Sequence, residues 1–157
     1  MSLLFDIQHQ YRKEIVNHNI LAFAYIYNRN TVMHPLLEEE HQQLIDLIEA
    51  LDKCVSQGQS KNHVYNYLDE FVTLAEEHFR NEEEAMEVYQ YPEIVHHKNE
   101  HINLLEHLHN LRGKLHDGLT PFGTEYMKLL RSWLEDHLLD TDNKLERFLY
   151  QVNVKKQ

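Results

Sequence analysis

Seven residues of this chain could jointly hold metal ions: His41, His78, Glu82, His97, His101, His137 and Asp142. Imidazole nitrogens and carboxylate oxygens are ligands for transition metals, and histidine is the commonest of them. On a helix, residues four apart lie about 40° apart around the axis and about 6 Å apart along it. His78 with Glu82, and His97 with His101, can therefore each converge on one point. His137 and Asp142 stand five apart, about 140° around a regular α-helix, so both reach one point only if the helix locally unwinds. The spacing predicts a single π-turn between them.

These positions matter because each interrupts an apolar stripe. The first helix-length segment, about 35–56, opens at Pro35, which suits a first helical turn, and ends before Gly58. Its stripe runs Leu37–His41–Leu44–Ile48, so His41 points inward. A second segment, about 61–87, has Ser60 as candidate N-cap and the stripe Phe71–Leu74–His78–Glu82. The third opens at Pro92, runs to about 115, and carries Ile94–His97–His101–Leu104/Leu105. The fourth opens near Thr120–Pro121, runs to about 150, and carries Tyr126–Leu129/Leu130–Trp133–His137. Four long helices with short connections predict an all-α, antiparallel up-down four-helix bundle over 34–157. Residues 1–33, polar and then apolar through Leu21 to Tyr27, read as an N-terminal arm.

A buried, unpaired carboxylate such as Glu82 would cost several kcal/mol or be forced neutral. No Lys or Arg lies on the stripes to balance it; a cation would. One inward histidine alone is more often a hydrogen-bonded core residue, but that explanation would have to hold separately on four helices. Five imidazoles and two carboxylates exceed one ion's needs, whereas two ions sharing bridging carboxylates would use all seven. Phe79 and Trp133 lie within one turn of these positions, where they can wall a dry pocket as well as pack.

Composition narrows the classes. The chain has 157 residues and 42% hydrophobic content, enough for one domain with a real core. Four Gly and three Pro argue against an all-β fold. A formal charge of -11 makes nucleic acid and anionic membrane poor partners. The lone Cys54 excludes cysteine-rich zinc sites, and no apolar run approaches the roughly 20 residues of a spanning helix. With no recognisable secretory signal, the expectation is a cytoplasmic protein. Of thirteen histidines, the eight others (9, 18, 34, 63, 96, 107, 109 and 116) are expected at surface or boundary positions.

The ordered pattern His41, His78-x-x-x-Glu82, His97-x-x-x-His101, His137-x-x-x-x-Asp142 resembles the ligand set of the hemerythrins, especially the bacterial single-domain ones. Flanking text is similar too: Glu-Glu-Glu-His-Gln-Gln-Leu (38–44), His-Phe-Arg-Asn-Glu-Glu (78–83) and Trp-Leu-Glu-Asp-His (133–137). The resemblance implies reversible O2 binding at a non-haem di-iron centre, in an oxygen carrier, store or sensor rather than an enzyme. It implies that His97, His101 and His137 hold one iron, and His41 and His78 the other, which keeps a position open for O2. Glu82 and Asp142 would bridge, with an oxo or hydroxo group as third bridge. Leu44 and Leu139 match positions that wall the O2 pocket, beside Phe79 and Trp133. A delivery target or unidentified protein partner would complete the cycle.

The alternative is a di-iron oxidase, peroxidase or nitric-oxide-handling enzyme on the same site. Carboxylate-rich di-iron enzymes use Glu-x-x-His pairs, and Glu38-x-x-His41 and Glu93-x-x-His96 occur here. Glu93, however, falls in a first helical turn and His96 off the stripe. Histidine-rich ligation favours reversible binding.

Overall fold

The computed structural model describes residues 35–118 and 123–154. The expected arm, 1–33, lies outside them, as do Thr120 and Pro121. Helix α1 spans Pro35–Ser56, α2 Lys61–Val88, α3 Ile94–His116 and α4 Thr124–Asp136. A π-turn, His137–Asp142, leads without a break into α5, Asn143–Val154, so α4, the π-turn and α5 form the fourth rod. No described residue is in a strand. The fold is the four-helix bundle expected.

Contacts between rods run in antiparallel register. Arg112 reaches Asp69, His109 reaches Glu76 and Lys98 reaches Glu87, so α3 descends as α2 ascends. Asp52 pairs with Arg131 while His41 meets Asp142, which sets the fourth rod antiparallel to α1.

The ends obey local chemistry. Pro35 does open α1, and the Ser60 hydroxyl accepts from the His63 amide at the start of α2. Helix α1 closes with the Gln59 amide on the Cys54 carbonyl and the Gly58 amide on Val55, with Gly58 at φ +63°. Helix α2 closes the same way with Tyr91 on Met86 and Gln90 on Glu87. Here Gln90 takes the left-handed position, φ 53°. Its tolerance is explained by the next residue: Tyr91 is buried against Met86, Leu37, Leu145 and Leu149, and so anchors the turn. Because that turn occupies 89–93, α3 begins at Ile94 rather than Pro92.

The core follows the apolar stripes, with one change of register. Leu44, Ile48, Leu51, Leu68, Met86, Leu130 and Leu145 are all at or below 1% exposure. On α4 the inward line is Met127–Leu130–Leu134, and Leu129 is 48% exposed. The sequence pairs Leu129 with Leu130 on the stripe; the two lie about 100° apart around the helix, and here Leu130 takes the inward side. Replacing Leu130 by Ala should therefore cost about 2–5 kcal/mol. The same change at Leu129 should stay within about 0.5 kcal/mol. Thermal or denaturant unfolding of the two variants checks the register.

Candidate metal centre

All seven sequence-predicted residues converge. Glu82, His97, His101, His137 and Asp142 form one group, and His41, His78, Glu82 and Asp142 a second. In each group every residue offers a ligand atom within 4.8 Å of all the others. Glu82 and Asp142 belong to both groups. All seven side chains are buried, with His78, Glu82 and Asp142 at 0% exposure.

Each rod contributes: α1 gives His41, α2 gives His78 and Glu82 one turn apart, α3 gives His97 and His101, and the π-turn gives His137 and Asp142. The π-turn lies where the spacing required it. It rotates Asp142 inward until Oδ1 is 3.1 Å from Nε2 of both His97 and His137. On the other side, Asp142 Oδ2 is 3.3 Å from His41 Nε2. Glu82 Oε2 lies 3.3 Å from His97 Nε2 and 3.2 Å from His101 Nε2, while its Oε1 faces His41.

The donor set fits cations by what it leaves unsatisfied. Both Glu82 oxygens, Asp142 Oδ2, His101 Nε2 and His137 Nε2 are buried without a hydrogen bond. Native interiors rarely leave such atoms orphaned, and a cluster of them at one point calls for a bound group to share. Glu82 and Asp142 are balanced among the described residues only by imidazoles. Burial and the Asp142 charge push Glu82 up, but His78, His101 and His97 outweigh them and hold it at about 2. Burial likewise opposes Asp142, yet His137, His41, His78 and His97 keep it well below the ordinary carboxylate range. In return, burial pulls His78 down but Glu82, Asp142 and Glu40 raise it to about 10. His97 is raised to about 9 against its own burial by Asp142 and Glu82. Burial dominates at His137, which falls below its usual value.

Sequence reasoning missed an outer ring of carboxylates. His78 Nδ1–H donates to Glu40 Oε2 at 3.1 Å, and Glu40 is itself held by the Asn81 amide. His101 Nδ1–H donates to Glu83 at 3.0 Å. Glu100, which accepts from the Thr141 hydroxyl, lies 3.5 Å from His137 Nδ1. Glu146 lies 3.7 Å from His41 Nδ1. A carboxylate behind a ligand imidazole fixes the tautomer and ring plane and makes the facing nitrogen more basic. A signal was present: Glu40 precedes His41, Glu100 precedes His101 and Glu83 follows Glu82, so each helix supplies a ligand and a neighbour's support together.

A cavity of about 30 Å³ opens beside the cluster, with His78 and His137 at its edge. Such a volume holds a molecule the size of water or O2. Leu44, Phe79 and Trp133 line it, where the sequence put them. Leu139 does not: it is 40% exposed, and Leu138 lines the cavity instead, with Leu134. Leu138 continues the inward line four residues after Leu134, whereas Leu139, two past His137, points to the opposite side of the rod. Phe79 also stacks on His101, centroids 4.0 Å apart and planes within 7°. Trp133 packs on His107 at 4.9 Å, so that exposed histidine covers the cavity's outer wall. His63, His96, His109 and His116 are exposed as expected; His9, His18 and His34 lie outside the described residues.

Residues 32–149 match the family model described as the hemerythrin HHE cation binding domain. The chain belongs to the hemerythrin family. It is 25% identical over 105 residues to a bacteriohemerythrin of Methylococcus capsulatus, covering 67% of this chain and 79% of that one. It is 29% identical over 113 residues to a myohemerythrin of Theromyzon tessulatum, covering 72% and 82%. A crystal structure of wild-type hemerythrin superposes with TM-score 0.71 at 23% identity, over 76% of this chain and 91% of that one, and shares the fold. Family membership makes this hemerythrin a non-haem iron, O2-binding protein at that level of description. Among the described residues no helix is long and apolar enough to cross a membrane.

The raised imidazoles have a sign that can be checked. At neutral pH, below their values of about 10 and 9, His78 and His97 carry protons in the metal-free chain. A cation must displace them, so loading releases protons and affinity weakens as pH falls. The same shifts stabilise the metal-free fold fully below the unfolded histidine value near 6.5, and that stability is lost as pH rises through about 9 and 10. Calorimetry of anaerobic Fe(II) loading in buffers of different ionisation enthalpy should show net proton release; buffer-independent heats would contradict it.

Proposed function

We propose that this hemerythrin binds O2 reversibly at a di-iron centre, as a carrier, store or sensor, with all seven cluster residues as ligands. The supporting observation is that two ligand groups share the same two carboxylates, Glu82 and Asp142. His97, His101 and His137 would complete the coordination of one ion. His41 and His78 would serve the other with one imidazole fewer, which keeps a position for O2. Glu82 and Asp142 would bridge the pair, alongside an oxo or hydroxo group. Bound iron would supply the electrons that O2 takes up on binding and returns on release.

The chain's own residues favour return over reaction. Leu44, Phe79, Leu134 and Leu138 line the cavity next to His78 and His137, and water that would promote irreversible oxidation is excluded from such an apolar space. Neutral imidazoles outnumber carboxylates among the seven, in contrast to the carboxylate-rich sites of di-iron oxidases and peroxidases. The second Glu-x-x-His pair that an enzyme of that kind would need, Glu93 and His96, is exposed at the start of α3, Glu93 in the turn before it. These features speak against an oxidase, peroxidase or nitric-oxide-handling role on the same residues.

The test is anaerobic reduction with Fe(II), followed by repeated exchange of O2 and argon. Two irons per chain and a visible band that appears with O2 and vanishes under argon, cycle after cycle, are the expected result. Rapid irreversible bleaching with peroxide release, or sustained consumption of a reductant, would establish the enzyme instead. In His78→Ala, iron content should fall from two towards one per chain and the O2-dependent band should disappear. Unchanged O2 binding in that variant would refute the role given to His78.

A further inference from the structure

We infer that Glu146 is the positioning residue for His41: its carboxylate, behind the ring, turns Nε2 towards the metal site. This rests on the ligand assignment proposed above and adds to it a residue outside the seven. His41 presents Nε2 to the cluster, 3.0 Å from His78 Nε2 and 3.3 Å from Asp142 Oδ2. Its Nδ1 points the other way, where Glu146 Oε1 lies at 3.7 Å. Glu146 is therefore on the far side of the imidazole from the ligand atoms and is a support, not an eighth ligand. At 3.7 Å the two atoms stand in ion-pair range, short of a hydrogen bond.

Two independent features single out this carboxylate. The first is recurrence: His78, His101 and His137 each have a carboxylate, Glu40, Glu83 and Glu100, behind the nitrogen that faces away from the cluster. His97 has none, its Nδ1 being buried without a hydrogen bond, and Glu146 makes His41 the fourth of the five imidazoles with a carboxylate behind it. The second is burial. Glu146 is 4% exposed, on a helix whose opposite face offers water to any glutamate without an inward role. Its inward register depends on the π-turn. In an unbroken α-helix, nine residues from His137 would place Glu146 about 180° away; one residue absorbed by the π-turn brings it within about 80°.

His41 is one of only two imidazoles in its group, so the ion there depends on it more than the other ion depends on any single histidine. Loss of an outer support of this type typically weakens metal binding about 10–100-fold. Two substitutions separate the roles. Glu146→Gln keeps an acceptor oxygen and nearly the same shape; Glu146→Leu removes the acceptor and keeps the site filled. The measurements are Co(II) and Fe(II) binding isotherms, the visible bands of the Co(II)-loaded chain and thermal melting of the metal-free chain.

Wild-type chain should take two ions. Glu146→Leu should bind one ion as tightly as wild type and the second at least about tenfold more weakly, with an altered Co(II) spectrum. Glu146→Gln should recover most of that second affinity. The metal-free Glu146→Leu chain should melt no lower than wild type, because removing a buried carboxyl does not harm packing. Two ions bound with wild-type affinity and spectrum in Glu146→Leu would overturn the inference and leave the di-iron reading intact. Equal weakening of both ions, or no recovery in Glu146→Gln, would also overturn it. A wild-type chain that fails to take two ions would overturn the di-iron reading and this inference together.

Discussion

Two carboxylates at 0% exposure, Glu82 and Asp142, sit among residues drawn from all four rods, and the rest of the molecule is arranged around their charge. Moving an ionised carboxylate out of water costs several kcal/mol unless a partner replaces the lost solvation. Among the described residues the partners within ion-pair distance are imidazoles alone, none of which is permanently charged. Protons on His78 and His97 can balance the pair, but only below about pH 9 to 10. Divalent cations balance them at any neutral pH and also satisfy the orphaned Nε2 atoms of His101 and His137. The same groups thus define the metal site and the largest electrostatic debt of the fold.

Because the cluster residues come from all four rods, metal bound there would tie together segments remote in sequence. His41 and Asp142 stand 101 positions apart in the sequence. Ring packing already orders part of this arrangement. His97, His101 and His137 meet edge to face, with centroids 4.5–5.4 Å apart, and Phe79 stacks flat on His101. The three-histidine side is therefore a packed aromatic cluster as well as a ligand set. On the two-histidine side His41 meets His78 at 4.5 Å and His78 meets Phe79 at 5.7 Å, with buried Glu40 and Glu146 behind the two imidazoles.

Much of this was legible because burying polar residues leaves a mark in a helical sequence. A histidine on the apolar line at i, i+4 or i+7 cannot avoid the core, so the seven positions and the four rods could be read together. The mismatch between a spacing of five and the helical period likewise exposed the π-turn. The outer carboxylates were hidden because a glutamate beside the stripe, such as Glu83 or Glu100, looks like any solvated helix residue. Only the neighbouring rod reveals what it faces. Leu139 failed for a related reason: resemblance transfers a neighbourhood, while the side of the rod depends on single-residue phase, and Leu134 and Leu138 hold the cavity positions. At the start of α3 the turn was set by Tyr91 burying itself, a tertiary effect that the Pro92 signal could not carry.

The π-turn also resolves why this rod tolerates poorer backbone geometry at its most buried point. Regular α-helix from His137 onward would direct Asp142 about 140° away and Glu146 to the opposite face, and would bring Lys144 towards the core. A lysine there would place a positive charge beside the imidazoles and compete with metal for Glu82 and Asp142. One residue absorbed between 137 and 142 leaves Lys144 outside, paired with Asp140 at 2.9 Å, and brings both carboxylates in. Thr141, also buried in this segment, donates to Glu100 on α3, and Glu100 in turn faces His137. A local loss in hydrogen-bond geometry is thus offset by three side-chain placements at once, those of Asp142, Lys144 and Glu146. None of them survives if the helix is made regular, and so the irregular segment belongs to the site as much as any ligand does.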